Sequence, residues 1–323
     1  MEKNKGFNFV ARVCYKPKGD EKGEDAYAFD CRKEDIQSIA VFDGCGGAGS
    51  WKYPEYNNST GAYIAAQVVS GVYQEWASGL TPQSVTQPEQ LKNEITEKIG
   101  TVLAELKGKS SKIGIGGSLV KAFPCTLSAA IVTPREDEFL LTALNAGDSR
   151  VYFLTPEAGL IQYTRDDLRG NPDGLANLRG SAPMSNMINA DKPFRIDCRQ
   201  LRIPYPAAVI CATDGIFGYL RSPMDLEYLL LRYLMESKCP DEFEKKFEAH
   251  IRGVTGDDST ALMAFYGWNS YGDIQKDMAE RYEYVSGLIR TLDAAADGPG
   301  AENVLQSVWE TYKKETVYDE MPR

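Results

Sequence analysis

The sequence predicts an α+β fold in which antiparallel strands, enough for a large sandwich or barrel, carry helices and are followed by a helical addition. Three observations lead there. Short runs rich in β-branched and aromatic residues recur between polar or glycine-rich turns. Stretches with helical apolar spacing interrupt those runs, and beyond residue 267 only helical patterning remains. At 323 residues the chain exceeds the usual single-domain length, yet a sandwich with helices reaches this size as one unit. The expected division is a main domain over 1–267 and a helical extension over 268–323.

Residues 7–14 (FNFVARVC), 26–30 (AYAFD) and 36–42 (IQSIAVF) read as strands. Asn58 or Ser59 is placed to cap a helix over 60–77, in which Ile64, Val68, Val69 and Val72 fall near helical spacing. A turn-rich connection over 79–87 leads to a second helix over 88–107, whose Leu91, Ile95, Ile99, Val102, Leu103 and Leu106 form one stripe. Residues 108–118 have the composition of a flexible loop. Strands resume at 125–133, 138–145, 150–154 and 159–164 as an antiparallel meander. Residues 165–200, rich in Asp, Asn, Pro and Gly, carry little periodic signal and are expected to form a mobile surface flap where substrate contacts lie. A strand over 207–213, helices over 223–236 and 240–251, and a strand over 260–266 follow. Two helices, 274–290 and 301–314, flank the breaker Asp297-Gly298-Pro299-Gly300. No internal repeat is present.

Composition excludes several function classes. With 43% hydrophobic and 25% charged residues the chain can bury a sizeable core. A formal net charge of -10 argues against nucleic-acid binding, which recruits clustered Lys and Arg. No stretch approaches the ~20 apolar residues that cross a bilayer, and Met1 to Val10 lacks the apolar core of a signal peptide. The expected compartment is the cytoplasm, with no membrane partner. Seven cysteines without a CxxC fit reduced thiols, and a single histidine, His250, argues against histidine-based zinc chemistry.

The chemistry is carried by carboxylates. Glu24-Asp25, Asp43-Gly44, Asp148, Asp214-Gly215 and Asp257-Asp258 each adjoin a short apolar run. Hard divalent cations prefer oxygen ligands, and Mg2+ keeps several waters, so one or two carboxylates per ion suffice and this set can hold two. Taken singly, an Asp-Gly pair after a strand is more often a turn than a ligand.

Taken in order, GEDAYAFD (23–30), AVFDGCGGAGS (40–50), NAGDSRVYF (145–153), CATDGIFGYL (211–220) and GDDSTALMAF (256–265) resemble the metal-dependent serine/threonine protein phosphatases of the PPM, or PP2C, family. The resemblance implies two packed antiparallel β-sheets flanked by α-helices, with a metal centre at one end. It implies Mg2+ or Mn2+ as cofactor, two ions with a third held more weakly, and a phosphoprotein as substrate. Within it Asp43 matches the carboxylate that bridges both ions, and the Gly44 carbonyl a further ligand. Asp214 and Asp257 match the carboxylates of the second ion, and Asp43, Asp214 and Asp257 are the expected catalytic set. Glu24 and Asp25 match the acidic pair of the first ion, largely through water, and Asp148 the residue that helps hold the third. Asp257 is favoured over Asp258, which stands at the family's Asn position.

Two departures follow from the same resemblance. Many members have Asp-Gly-His where this chain has Cys45, and a thiol is a poorer general acid near neutrality. The family's phosphate-gripping arginine is matched by Arg12, but twelve residues before Glu24, with Lys22 the substitute. Gly44 to Ser50 also invites a P-loop or cysteine-phosphatase reading, but Gly44 and Gly49 are followed by Ser50 and Trp51 without the P-loop lysine, and position 51, where a cysteine phosphatase needs arginine, is Trp. The competing function is a catalytically weak or inactive phosphoprotein-binding module.

Overall fold

Alternate residues along the central strands face different layers. In the strand Ala207–Ala212, Ala208, Ile210 and Ala212 join one buried cluster while Ala207, Val209 and Cys211 join another. The strand Ser259–Tyr266 repeats this, with Ala261, Met263 and Phe265 outward and Leu262, Ala264 and Tyr266 inward. Strands buried on both faces read as nearly continuous apolar runs, which is why these segments stand out in the sequence.

The computed structural model describes residues 10–15, 23–110, 120–170, 173–179, 182–296 and 298–315. In chain order these form β1 (Val10–Tyr15), β2 (Ala26–Asp30), β3 (Gln37–Phe42), β4 (Lys52–Tyr53), β5 (Ser59–Thr60), α1 (Gly61–Ser78), α2 (Pro88–Lys109), β6 (Leu127–Pro134), β7 (Glu138–Ala146), β8 (Arg150–Thr155), β9 (Gly159–Gln162) and α3 (Gly174–Arg179). They continue with β10 (Asp197–Pro204), β11 (Ala207–Ala212), α4 (Asp214–Phe217), α5 (Pro223–Glu236), α6 (Pro240–Val254), β12 (Ser259–Tyr266), α7 (Tyr271–Ala295) and α8 (Ala301–Glu315). Two five-stranded antiparallel sheets result, ordered β1-β12-β11-β8-β9 and β10-β7-β6-β3-β2, with β4 and β5 as a separate hairpin.

The layers are helix, sheet, sheet, helix. Between the sheets lie Ile39, Val41, Val132, Phe139, Leu141, Val151, Phe153 and their neighbours. α1 and α2 cover the outer face of the second sheet with Ile64, Val69, Tyr73, Ile95, Ile99 and Leu103. The outer face of the first sheet is covered by α4 to α8, and Trp268, Ile274, Met278, Val285 and Trp309 of the C-terminal region belong to that same core. Each fully buried aliphatic or aromatic side chain stabilises the fold by roughly 1.5–3 kcal/mol. Among the described residues, no helix is long and apolar enough to cross a membrane.

Three details differ from the sequence reading. The cap of α1 is Thr60, whose hydroxyl accepts from the Tyr63 amide at 3.1 Å, whereas Asn57 and Asn58 take left-handed backbone in the β4–β5 turn. The 165–200 stretch supplies a short helix, α3, and the first half of β10, which pairs with β7 from Asp197 opposite Asn145 to Pro204 opposite Glu138. β10 is an edge strand whose side chains are mostly half-buried or exposed, so it carries no apolar alternation to read. The expected loop at 108–118 and the start of the first expected strand, 7–9, lie largely outside the described residues.

Candidate metal centre

Strand register brings the acidic loops to one end of both sheets. Ala26 of β2 lies opposite Phe42 of β3, so Asp25, just before β2, and Asp43, just after β3, emerge side by side. β7 ends at Ala146 opposite Leu127, and Asp148 follows. On the other sheet Ala212 of β11 pairs with both Arg150 and Ala261, which puts Asp214 beside the loop that carries Asp257 and Asp258. Hydrogen bonds join the two sheets at this end. The Thr213 hydroxyl donates to Asp25 Oδ2 at 2.9 Å, and the Glu24 amide donates to Asp258 Oδ2 at 2.5 Å.

Two glycines let backbones approach closely here. A Cβ on Gly44 would lie 2.7 Å from the Ala62 carbonyl oxygen and 2.8 Å from that of Glu24. On Gly215 it would fall 1.9 Å from the Asp258 carbonyl oxygen, so the α4 start and the Asp257-Asp258 loop touch only because position 215 has no side chain.

The field at this end is strongly negative. Burial raises Asp43 well above the ordinary carboxylate range, and Asp214, Asp25, Asp148 and Asp257 add to it. Burial pushes Asp25 up to about 8, with Asp258 and Asp214 contributing and hydrogen bonds from Thr260 and Thr213 opposing. Asp148 rises to about 7 through burial and then Asp214, and Asp214 to about 6 through burial and then Asp257. The nearby cation Arg150 is engaged elsewhere: its guanidinium makes two bonds to Asp166, at 2.9 and 2.6 Å. Asp148 Oδ1 is buried with no hydrogen-bond partner among the described residues.

A divalent ion fits that donor set. Like charges gathered in a partly dry place, one with an orphaned oxygen, are what a cation would neutralise. Among the described residues no three Asp, Glu, His or Cys side chains close into a ready cage. That openness suits hard ions, which keep much of their water shell.

The structure thus gathers Asp25, Asp43, Gly44, Asp148, Asp214 and Asp257 at one end. Glu24 is there too, its carboxylate accepting from the Thr60 hydroxyl. Asp257 is exposed and its field reaches Asp43 and Asp214, while Asp258 faces Asp25. Arg12 lies exposed on the edge strand β1, its guanidinium donating to the Tyr27 hydroxyl at 2.5 Å. Lys22 is outside the described residues. Cys45 sits in the loop after Asp43, and burial, then Asp43, drives its thiol well above the ordinary range. His250 is remote in α6, bonded to the Tyr233 hydroxyl at 3.0 Å.

Sequence reasoning missed the hydroxyls that hold these acids. Thr213 donates to Asp25 and accepts from the Thr260 amide at 2.9 Å, and Thr126 accepts from the Asp43 amide at 3.0 Å and bonds Ser149 at 2.6 Å. Thr213, Ser149 and Thr260 stand within the fragments CATDG, GDSR and GDDST, so the signal was adjacency to the acids.

The two-sheet architecture is shared with solved bacterial phosphatases. A bacterial serine phosphatase superposes with a TM-score of 0.60 at 15% identity, covering 82% of this chain and 100% of its own. The serine/threonine phosphatase Stp1 from Staphylococcus aureus gives 0.59 at 16% identity, covering 82% and 98%. The catalytic domain of the serine threonine protein phosphatase PstP, solved in complex with two manganese ions, gives 0.53 at 14%, covering 80% and 98%. At such identities the likeness shows the fold. No curated protein matches the chain. The model of the Protein phosphatase 2C family, however, matches residues 18–250, most of the chain, and the protein belongs to that family.

Proposed function

We propose that the protein is a metal-dependent protein serine/threonine phosphatase, hydrolysing phosphoserine or phosphothreonine with water as nucleophile. The observation that carries this reading is the set of acids from five separate strand ends sharing one field, with Asp148 Oδ1 buried and unpartnered among the described residues, in a chain of this family. Asp43, Asp214 and Asp257, with the Gly44 carbonyl, are the groups that would hold one pair of Mg2+ or Mn2+ ions. Glu24 and Asp25 would serve the first ion, and Asp148 a third, weaker one. When bound, the ions would neutralise the phosphate dianion and ready a water at neutral pH. The Thr213 hydroxyl, bonded on both sides, holds Asp25 in one orientation, and Thr126 fixes the backbone at Asp43.

Cys45 holds its proton rather than giving it to the leaving alkoxide, because burial beside Asp43 makes the thiol a weaker acid still. Slow turnover follows, as does a second reading, a catalytically silent phosphoprotein-binding module. The net charge of -10 is unsuited to a nucleic-acid ligand.

Hydrolysis of p-nitrophenyl phosphate and a phosphothreonine peptide, with Mn2+ and with EDTA, separates these readings. Wild type should turn over both substrates only with the metal, Asp214→Asn should lose at least about a hundredfold, and Cys45→Ser should stay active. No metal-dependent turnover in wild type would favour the silent module. Full activity in Asp214→Asn, or a dead Cys45→Ser indifferent to EDTA, would overturn the proposed chemistry.

A further inference from the structure

α8 lies beyond residue 250, where the family match ends, yet it is tied to a segment inside the match through one carboxylate, Asp173. Asp173 opens α3, its Oδ1 accepting from the Leu175 and Ala176 amides at 3.0 and 3.3 Å. The same carboxylate accepts from the indole of Trp309 at 3.0 and 3.1 Å and from the Lys313 ammonium at 3.1 Å. Trp309 is fully buried and Lys313 nearly so, its ammonium 5.5 Å from the Trp309 ring centre. Two long side chains of α8 are thus spent on holding the start of a six-residue helix, too short to be stable by itself.

What α3 touches gives this clamp a purpose. Leu178 of α3 and Tyr312 of α8 line one small cleft with Arg150 and Phe217. The Arg150 guanidinium lies 3.9 Å from the Phe217 ring centre, and Phe217 is the last residue of α4, the helix that Asp214 begins. The same stretch of chain is fixed to the metal centre at its root. The Gly147 amide, next to Asp148, donates to Asp167 Oδ2 at 3.0 Å, and the Asp167 amide returns a bond to the Gly147 carbonyl at 2.9 Å.

We propose that Trp309 and Lys313 are positioning residues for substrate binding. By clamping Asp173 they hold α3 against the Arg150–Phe217 wall and so shape the surface beside Asp148 and Asp214 on which a phosphoprotein docks. The docking half of this inference rests on the phosphatase reading; the clamp itself does not.

Hydrogen–deuterium exchange of the full chain tests the clamp without activity. In Lys313→Met, and in Trp309→Phe/Lys313→Met, amides of 174–179 should exchange about tenfold faster, the response to losing a charge-assisted bond, while β6, β11 and β12 keep their protection. Ser307→Ala, at an exposed position of α8, should change nothing. The Michaelis constant for a phosphothreonine protein substrate should rise several-fold while the turnover number on p-nitrophenyl phosphate holds. Unchanged exchange over 174–179 in Lys313→Met, or acceleration spread equally over all core strands, would overturn the clamp. Altered exchange with an unchanged Michaelis constant would overturn its role in docking. An inactive wild type with the local exchange change intact would refute the phosphatase reading alone and leave the clamp standing.

Discussion

In EDTA the protein should melt at lower temperature as the pH rises from about 5 to about 8, and Asp43→Asn should melt above wild type in the upper part of that range. The sign follows from the direction of the shifts. Asp25, Asp148 and Asp214 are raised to about 8, about 7 and about 6, chiefly by burial and then by one another, from an ordinary value of 3.8. A carboxyl that holds its proton more tightly when folded stabilises the fold at low pH, and that contribution is lost as the pH climbs through its folded value. For Asp214 alone, a rise of roughly two units corresponds to about 3 kcal/mol. Asp43→Asn removes one charge from the set that Asp43 shares with Asp214, Asp25 and Asp148. The same substitution should abolish metal-dependent hydrolysis, so stability and activity move in opposite directions. Mn2+ should restore the wild-type melting temperature at pH 8 and do little for the variant. Differential scanning fluorimetry across pH, with and without Mn2+, reads all of this; a melting temperature in EDTA that rises with pH would contradict it.

The second large effect lies far from the metal centre. Glu227 of α5 is completely buried and accepts from Arg281 of α7 at 2.6 and 3.0 Å and from the Tyr312 hydroxyl of α8 at 2.6 Å. Arg281 is packed tightly against Gly159, where a Cβ would come 2.3 Å from its Nε. Glu227→Leu leaves a buried guanidinium without its counter-charge, which costs about 3–5 kcal/mol. The melting temperature should fall by about 10 °C. Replacing both partners, Glu227→Leu with Arg281→Met, should recover most of the loss, because an apolar pair of similar volume avoids desolvating two charges. A double variant as unstable as the single one would show that losing the Tyr312 hydroxyl bond to Glu227, rather than leaving the guanidinium unpaired, carries the cost.

How much of this was legible depended on where each residue sits. β3, β6, β11 and β12 are buried on both faces, so their apolar runs announced them within a residue or two of their observed ends. β10 gave no such signal, because an edge strand needs only backbone partners and its side chains face neither core fully. Asn58 looked like a helix cap because Asn suits that role, but it also tolerates left-handed backbone, and a β-hairpin used it so. The acids were readable because Asp-Gly pairs follow apolar strands in the family's order. Their hydroxyl supports, Thr126 above all, were not, since a threonine inside a strand sequence is equally at home as a packing residue. The α8 clamp on Asp173 joins residues 136 and 140 positions apart, and nothing in local pattern marks such a pair.

Mn2+ binding decides whether these carboxylates form a metal centre. Isothermal titration at pH 7.5 should show strong, EDTA-reversible binding to the wild-type protein, with Asp43→Ala losing most of the heat and Asp257→Ala weakening one class of site. Undiminished binding in Asp43→Ala, or no binding to the wild type, would contradict a metal centre built on these carboxylates.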